Sequence, residues 1–435
     1  MTQSFLSHLK ERGLVAQISH EEELGELLAR GVTNANGQRY AAYCGFDPTA
    51  KSLHVGNLVQ LMGLRRAQDF GLTPIILFGG ATGLIGDPTG RTELRQMNSR
   101  EQINSFIENF KILVRPYFNF DVANAPVFVN NIDWLGGMSW IDFLRDVGMH
   151  FTVARLLAAE VNKSRFENGG LTFMELGYQL LQAYDFSHLA KSHNCILQIG
   201  GNDQWSNILA GADLIRRTGG GNDSTGVGAS ASSVHKAFAL TLPLLVGSDG
   251  RKYGKSAGNA IWLDGTMTSP YEFYQFFRNT HDDDVGLLLR IFTFVPESEI
   301  VKIANKAETD INKSKDFLAF EITKMVHGAE QAQKAQEAAK ALFSGHGDLS
   351  NAPFTNVSKS EIEAGLDFLN LLVKTGLSAS RGEARKLIQG NGLVVNDVKH
   401  TDIAAVVRLQ DFETENQAMV LRKGKKDFHL VKLAP

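Results

Sequence analysis

Cysteine is almost missing from this 435-residue sequence, with Cys44 and Cys195 standing far apart. That excludes a disulfide framework and any cysteine-rich zinc motif. It fits a reducing compartment, so the cytoplasm is the expected location. Long apolar runs are missing too. The longest, from Pro74 to Ile85, is broken by glycines and is too short to cross a bilayer, so no membrane partner is expected. Residues Met1 to Gly13 mix Phe5, Leu6 and Leu9 with Lys10, Glu11 and Arg12. They lack the apolar centre and small-residue cleavage site of a secretory signal and read as a short surface helix. Charge of one sign is also scarce, since 44 Lys and Arg against 47 Asp and Glu leave a net charge of -3. Such a sum does not mark a nucleic-acid binder, but it conceals an uneven distribution. From Gly365 to Pro435 about 11 basic residues face about 8 acidic ones, roughly +3, which leaves about -6 for everything before.

What is present is a globular balance, 43% hydrophobic and 21% charged, with length enough for two to three domains. Up to about residue 245 short apolar runs alternate with longer segments of helical period. The runs are Tyr40 to Phe46, Pro74 to Phe78, Pro126 to Val129, Cys195 to Ile199 and Leu240 to Val246; the helices should begin near Gly56, Ser99, Trp140, Thr172 and Asp203. This order predicts an α/β fold, a Rossmann-like doubly wound parallel sheet whose ligands bind beyond the carboxyl ends of the strands. The stretch from Thr218 to Ser233 has almost nothing to bury and should be a surface loop. The expected organisation is an α/β domain over 1–245, a loop and connection over 246–265 and an α-helical domain over 266–345. A linker over 346–364 and a small basic α+β module over 365–435 complete it.

Three stretches carry candidate chemistry. Tyr43-Cys44-Gly45-Phe46-Asp47-Pro48-Thr49 runs into His54-Val55-Gly56-Asn57 at the start of an amphipathic helix. Free N–H groups and the dipole at a helix start attract anions, and Thr49 and His54 could add donors; a plain capping turn explains the same residues taken alone. Gly79 to Gly86 follows another strand and ends at Asp87, either a free carboxylate or a helix cap. Lys252-Tyr253-Gly254-Lys255-Ser256 places two lysines on one loop, where they could close on a polyphosphate or simply be solvated.

Taken together, the first and third stretches resemble the two signature motifs of class I aminoacyl-tRNA synthetases. YCGFDPT, GGATGLIGDP, YQLLQAYDF and LQIGGNDQW sharpen the resemblance to the tyrosyl-tRNA synthetase family of bacterial and organellar type, over essentially the whole chain. The spacing of Tyr178, Gln182 and Asp185 puts them on one helix face. The resemblance implies that Tyr43 and Asp185 bind the substrate phenol, and that Asp87, Tyr178 and Gln182 hold the ammonium group of L-tyrosine. It further implies that Thr49, His54, Lys252 and Lys255 meet the β- and γ-phosphates of ATP, with Arg91 and Arg95 reaching in after Asp87. Cys44, Gly45, Asp47, Gly56, Asn57, Gly201, Asp203, Gln204 and Ser256 would complete the nucleotide and carboxylate contacts. ATP is expected as substrate with Mg2+ and no tightly bound metal. Four positions depart from the commoner pattern: Asn57 for a second histidine, Tyr253-Gly254 for Met-Ser, Arg91 for lysine, and Ser206 for glycine. All keep hydrogen-bonding or charge character, so they are expected to tune affinity rather than abolish it.

In the tail, LSASRGEARKLI followed by Gly392 to Asn396 resembles an S-four-like RNA-binding domain. Arg381, Arg385 and Lys386, with Lys423, Lys425 and Lys426, would then meet phosphates of tRNA; a solvated basic face is the bland alternative. By the same resemblance the helical domain lies on the anticodon side, an insertion in the first domain makes a dimer interface, and the protein works as a homodimer. A tryptophan-specific relative would have no phenol to recognise, and Tyr43 with Asp185 argues against it. A small-molecule adenylyltransferase would leave the tail idle. An RNA-binding relative without catalysis is opposed by His54, Lys252, Lys255 and Asp87.

Overall fold

The computed structural model describes residues 3–88, 98–167, 170–219, 236–248, 250, 253–256, 259–305, 309–344, 354–412, 418–424 and 427–434. They divide into two compact units, Met1–Met267 with His281–Ile311, and Thr268–Thr280 with Asn312–Pro435.

The first unit is built on a six-stranded sheet of β1 (Gln17–Ile18), β2 (Ala41–Phe46), β3 (Thr73–Phe78), β4 (Val127–Asn130), β5 (Cys195–Gly201) and β6 (Phe238–Leu242). Its spatial order is β1-β6-β5-β2-β3-β4, and only β1 runs antiparallel to its neighbour. Parallel strands covered on both faces read as continuous apolar runs, which is why five of them are visible in the sequence. The last was expected over Leu240 to Val246 but spans Phe238–Leu242, because Pro243 has no N–H to continue the ladder. The helix Val55–Asp69 packs against β2, β3 and β5, while helices Phe173–His193 and Trp205–Gly219 pack on each other and on β5. Tyr43, Ile75, Leu77, Phe186, Leu189 and Ile215 form a core between the sheet and these last two helices.

Residues 281–311 also belong to this unit. The expected helical domain over 266–345 is thus shared between the units. The helix Val285–Phe292 is apolar nearly throughout and needs cover on more than one side. Buried Arg66 supplies part of it by donating to the carbonyls of Arg290 and Thr293, both at 2.9 Å, at the end of that helix.

In the second unit, helices Pro270–Arg278, Ile311–His327 and Ala329–Ser344 precede a small α+β module. Its sheet comprises β9 (Phe354–Val357), β10 (Leu393–Val395), β11 (Val398–Lys399), β12 (Ala418–Lys423) and β13 (Asp427–Leu433), numbered after the short pair β7 (Lys255–Ser256) and β8 (Asn259–Ala260) of the first unit. The order is β11-β10-β12-β13-β9, and Val357, Leu371, Leu372, Ile388, Leu421 and Val431 fill its core. Among the described residues no helix is long and apolar enough to cross a membrane.

Candidate active site

From β2 the strand order runs to β3 and β4 on one side and to β5 and β6 on the other. The crevice at that reversal, beyond the carboxyl ends of β2 and β5, is where an open α/β sheet binds ligands. A cavity of about 1070 Å3 opens there. Every candidate from the first domain whose side chain is described lines it: Tyr43, Cys44, Asp47, Thr49, His54, Asn57, Asp87, Tyr178, Gln182, Asp185, Asp203 and Gln204. Gly45, Gly56 and Gly201 line it as well.

At the cavity floor Asp185 is buried, and both carboxylate oxygens are held. Asn131 donates to Oδ2 at 3.0 Å and the indole N–H of Trp134 to Oδ1 at 2.8 Å. Burial pushes this carboxyl up to about 7, against the pull of the Asn131 and Trp134 hydrogen bonds, with the charge of Asp47 adding to the rise. Trp134 is fixed in turn by stacking on His188, ring centroids 4.4 Å apart. Tyr43 is 1% exposed, and its hydroxyl has no hydrogen-bond partner among the described residues. Burial, reinforced by the charge of Asp185, holds that phenol protonated far above its usual range. A buried hydroxyl left unpaired is costly, which makes this oxygen suited to pair with a polar group in the cavity.

Above this floor, Asp47 accepts from the Tyr178 hydroxyl at 2.8 Å and from Thr82 Oγ1 at 2.7 Å. Gly79 makes room for that pair, since a Cβ on it would fall 1.9 Å from Asp47 Oδ1. Gln204 donates to Asp87 at 2.7 Å, and Asn207 donates to the side-chain oxygens of both Gln182 and Gln204, at 3.3 and 3.2 Å. Asn131 also donates to Thr82 Oγ1 at 3.0 Å, so Asp47 and Asp185 share one hydrogen-bonded set while Asp87 stands in a second. Three carboxylates lining one cleft suit a cationic group.

His54 is the N-cap of the Val55–Asp69 helix, and the cap is reciprocal. The N–H of Asn57 donates to His54 Nδ1 at 3.3 Å, and the Asn57 side-chain oxygen accepts from the His54 N–H at 3.0 Å. Nδ1 as acceptor leaves the proton on Nε2. The ring folds over Gly56, where a Cβ would lie 2.8 Å from Cε1. This explains how asparagine serves at position 57. Cys44 is buried near Gln60 and held up at about 12 by burial, so its thiol is neutral. Among the described residues no cluster of three or more His, Cys, Asp or Glu is poised to hold a metal.

Arg91, Arg95, Lys252, Lys425 and Lys426 lie outside the described residues, as do 220–233 of the expected loop and the side chains of Lys255 and Ser256. In the tail, Arg385 and Lys386 are exposed on the helix Arg381–Gln389, which buries Ala384 and Ile388. Arg381 is paired with Asp367 at 3.0 Å and Lys423 with Glu383 at 2.8 Å, so these two already have partners.

Sequence reasoning missed Asn131, Trp134, Thr82, Gln198 and Asn207. A signal existed for the first two, because NIDW follows β4 directly and so stands at a strand carboxyl end. Gln198 sits opposite Tyr43 on β5 and its side-chain oxygen is buried without a partner among the described residues.

Residues 35–344 match the family described as tRNA synthetases class I (W and Y), and residues 349–431 match the tyrosine–tRNA ligase SYY-like C-terminal domain. The chain is 45% identical to a tyrosine–tRNA ligase of Acetivibrio thermocellus, covering 99% of both chains. It is 44% identical to one of Caldanaerobacter subterraneus subsp. tengcongensis, covering 98% of both. The crystal structure of a C-terminally truncated mitochondrial tyrosyl-tRNA synthetase of Aspergillus nidulans superposes with a TM-score of 0.68 at 30% identity, over 78% of this chain and 94% of that one. With this likeness along its whole length, the chain belongs to the tyrosine–tRNA ligase family of class I tRNA synthetases.

Proposed function

We propose that the cleft activates L-tyrosine with ATP, releasing pyrophosphate, and that the protein then transfers the tyrosyl group to the 3' end of its cognate tRNA. One observation carries the choice of tyrosine: the unpaired buried hydroxyl of Tyr43 faces the same cavity floor as the doubly held carboxylate of Asp185. A substrate phenol donates to Asp185 and accepts from Tyr43, satisfying both. Phenylalanine would leave the Tyr43 hydroxyl buried without a partner and offer Asp185 no donor beyond Asn131 and Trp134, at a cost in desolvation. The substrate ammonium sits against Asp87, Tyr178 and Gln182.

In the activation step a carboxylate oxygen of tyrosine attacks the α-phosphate and the bond to pyrophosphate breaks. The substrate is its own nucleophile, so the protein has only to align the reactants and neutralise charge. The Nε2 proton of His54 and the hydroxyl of Thr49 are donors for the outer phosphates, with Lys252, Lys255, Arg91 and Arg95 as further cations. Gly201, Asp203 and Gln204, at the end of β5, take the ribose and carboxylate side. Mg2+ enters with ATP as part of the substrate.

Exposed Arg385 and Lys386 offer the tail to tRNA phosphates. Trp140, Ile141, Met149, Val153 and Phe173 expose large apolar side chains, 70% for Phe173 and 74% for Ile141 and Met149. Trp140 and Phe173 adjoin edge to face, at 6.0 Å between ring centroids. A second copy of the chain is the occupant of this surface, making a homodimer. Two reduced, buried cysteines accord with the cytoplasm.

Amino-acid-dependent ATP–pyrophosphate exchange tests the reading with tyrosine, phenylalanine and tryptophan. Exchange should occur with tyrosine alone and be lost or made unselective by Asp185→Ala. No exchange with any of the three by the folded protein overturns it.

A further inference from the structure

The segment bearing Lys255 returns through β8 and joins the segment bearing His54 by main-chain hydrogen bonds. Lys255 pairs with Ala260 across β7 and β8. The chain then continues alongside the first signature motif: Val55 N–H donates to the Ile261 carbonyl at 2.9 Å, and Leu263 N–H to the Leu53 carbonyl at 2.8 Å. His54 and Trp262 form an antiparallel bridge between these two bonds. The seam ends at Asp264, where the Asp264 N–H donates to Ser52 Oγ at 3.1 Å.

Asp264 is buried, and its two carboxylate oxygens have different tasks. Oδ1 accepts from the N–H and hydroxyl of Thr266, at 2.8 and 2.7 Å, a local turn that any aspartate here would make. Oδ2 accepts from Asn109 at 3.2 Å. Asn109 belongs to a third element, the helix Arg100–Val114, and the same amide nitrogen donates to the Lys51 carbonyl at 2.7 Å. One side chain thereby grips both strands of the seam at its open end, with Lys51 Nζ 4.0 Å from Oδ2 adding charge. Neither Asp264 nor Asn109 lines the cavity.

We infer that Asn109 and Asp264 are positioning residues for adenylate formation, a latch that sets the register of the Lys255 segment against the His54 segment. The inference rests on the reading that the cleft activates tyrosine with ATP. Phosphate donors contributed by two separate segments act together only when the offset between the segments is fixed, and an error of an ångström at one donor is enough to weaken charge neutralisation. The tyrosine pocket, built from β2, β4 and the helix Phe173–His193, has no share in the latch.

The test uses Asn109→Ala and Asp264→Asn in the full-length protein. The first removes both grips while leaving the local Thr266 turn intact. The second retains an acceptor for Thr266 but turns an amide NH2 toward that of Asn109. In tyrosine-dependent ATP–pyrophosphate exchange, the KM for ATP should rise by about fivefold to tenfold in both. The dissociation constant for tyrosine, read by intrinsic fluorescence, should stay within about twofold and the thermal midpoint within a few degrees. Asn109 is only partly buried on its helix, so Asn109→Ala decides the matter if Asp264→Asn fails to fold. An unchanged KM for ATP in Asn109→Ala overturns the inference. A loss of tyrosine affinity as large as the loss for ATP also overturns it, because a general structural role predicts that. Absence of exchange in the unsubstituted protein instead fails the functional reading beneath it.

Discussion

Burial pushes the Asp185 carboxyl up to about 7 even though Asn131 and Trp134 both donate to it, so this residue titrates near neutral pH. Accepting the phenol proton of tyrosine requires the ionised form. Tyrosine affinity should accordingly rise as pH increases through about 7 and fall below it. The stability effect has the opposite sign. The folded-state value lies above the ordinary value of 3.8, so this group's contribution is fully present below 3.8 and is lost as pH rises through about 7. Replacing Trp134 with Phe removes a donor to the ionised form. The acid limb of tyrosine binding should then move toward alkaline pH, a shift that fluorescence titration at several pH values would detect. An unmoved limb would show that the indole N–H does not govern this carboxylate. None of this was legible from motif spacing, since Trp134 reaches Asp185 only when β4 and the helix Phe173–His193 come together in the folded sheet.

The helix Val55–Asp69 joins local sequence rules to the site. His54 and Asn57 satisfy each other's backbone groups, so Asn57→Ala should cost about 1 kcal/mol of stability, the ordinary worth of a lost cap. It should also release His54 and weaken ATP more than tyrosine, as calorimetry beside the exchange assay would report. Equal weakening of both substrates would place Asn57 outside the role argued for it. Elements of this kind were readable from sequence: caps announced the helix starts near Ser99 and Thr172, and doubly covered strands such as Ala41–Phe46 announced themselves as apolar runs. The two-residue edge Gln17–Ile18 was not, because so short a strand carries no period and exists only by pairing with Leu240 and Thr241. Nor could periodicity tell that Val285–Phe292 packs with the first unit. Its apolar residues state that it is buried and leave the partner to Arg66.

For the whole molecule, the proposed homodimer would cover the exposed aromatic and aliphatic side chains that include Trp140 and Phe173. Phe173→Asp would place a charge in that contact, and sedimentation velocity should show the dimer replaced by monomer at micromolar concentration, with the fold intact by circular dichroism. A dimer of unchanged affinity would remove this surface from the interface. The basic tail was legible as composition. Which of its cations are spoken for was not, because Asp367 and Glu383 reach Arg381 and Lys423 across turns of the folded module. The two thiols have a practical consequence at this scale. Cys44 and Cys195 are both buried and held protonated, so neither presents the thiolate that maleimides attack. A single cysteine introduced on the surface would carry a fluorophore or spin label alone, with no native cysteine to remove first.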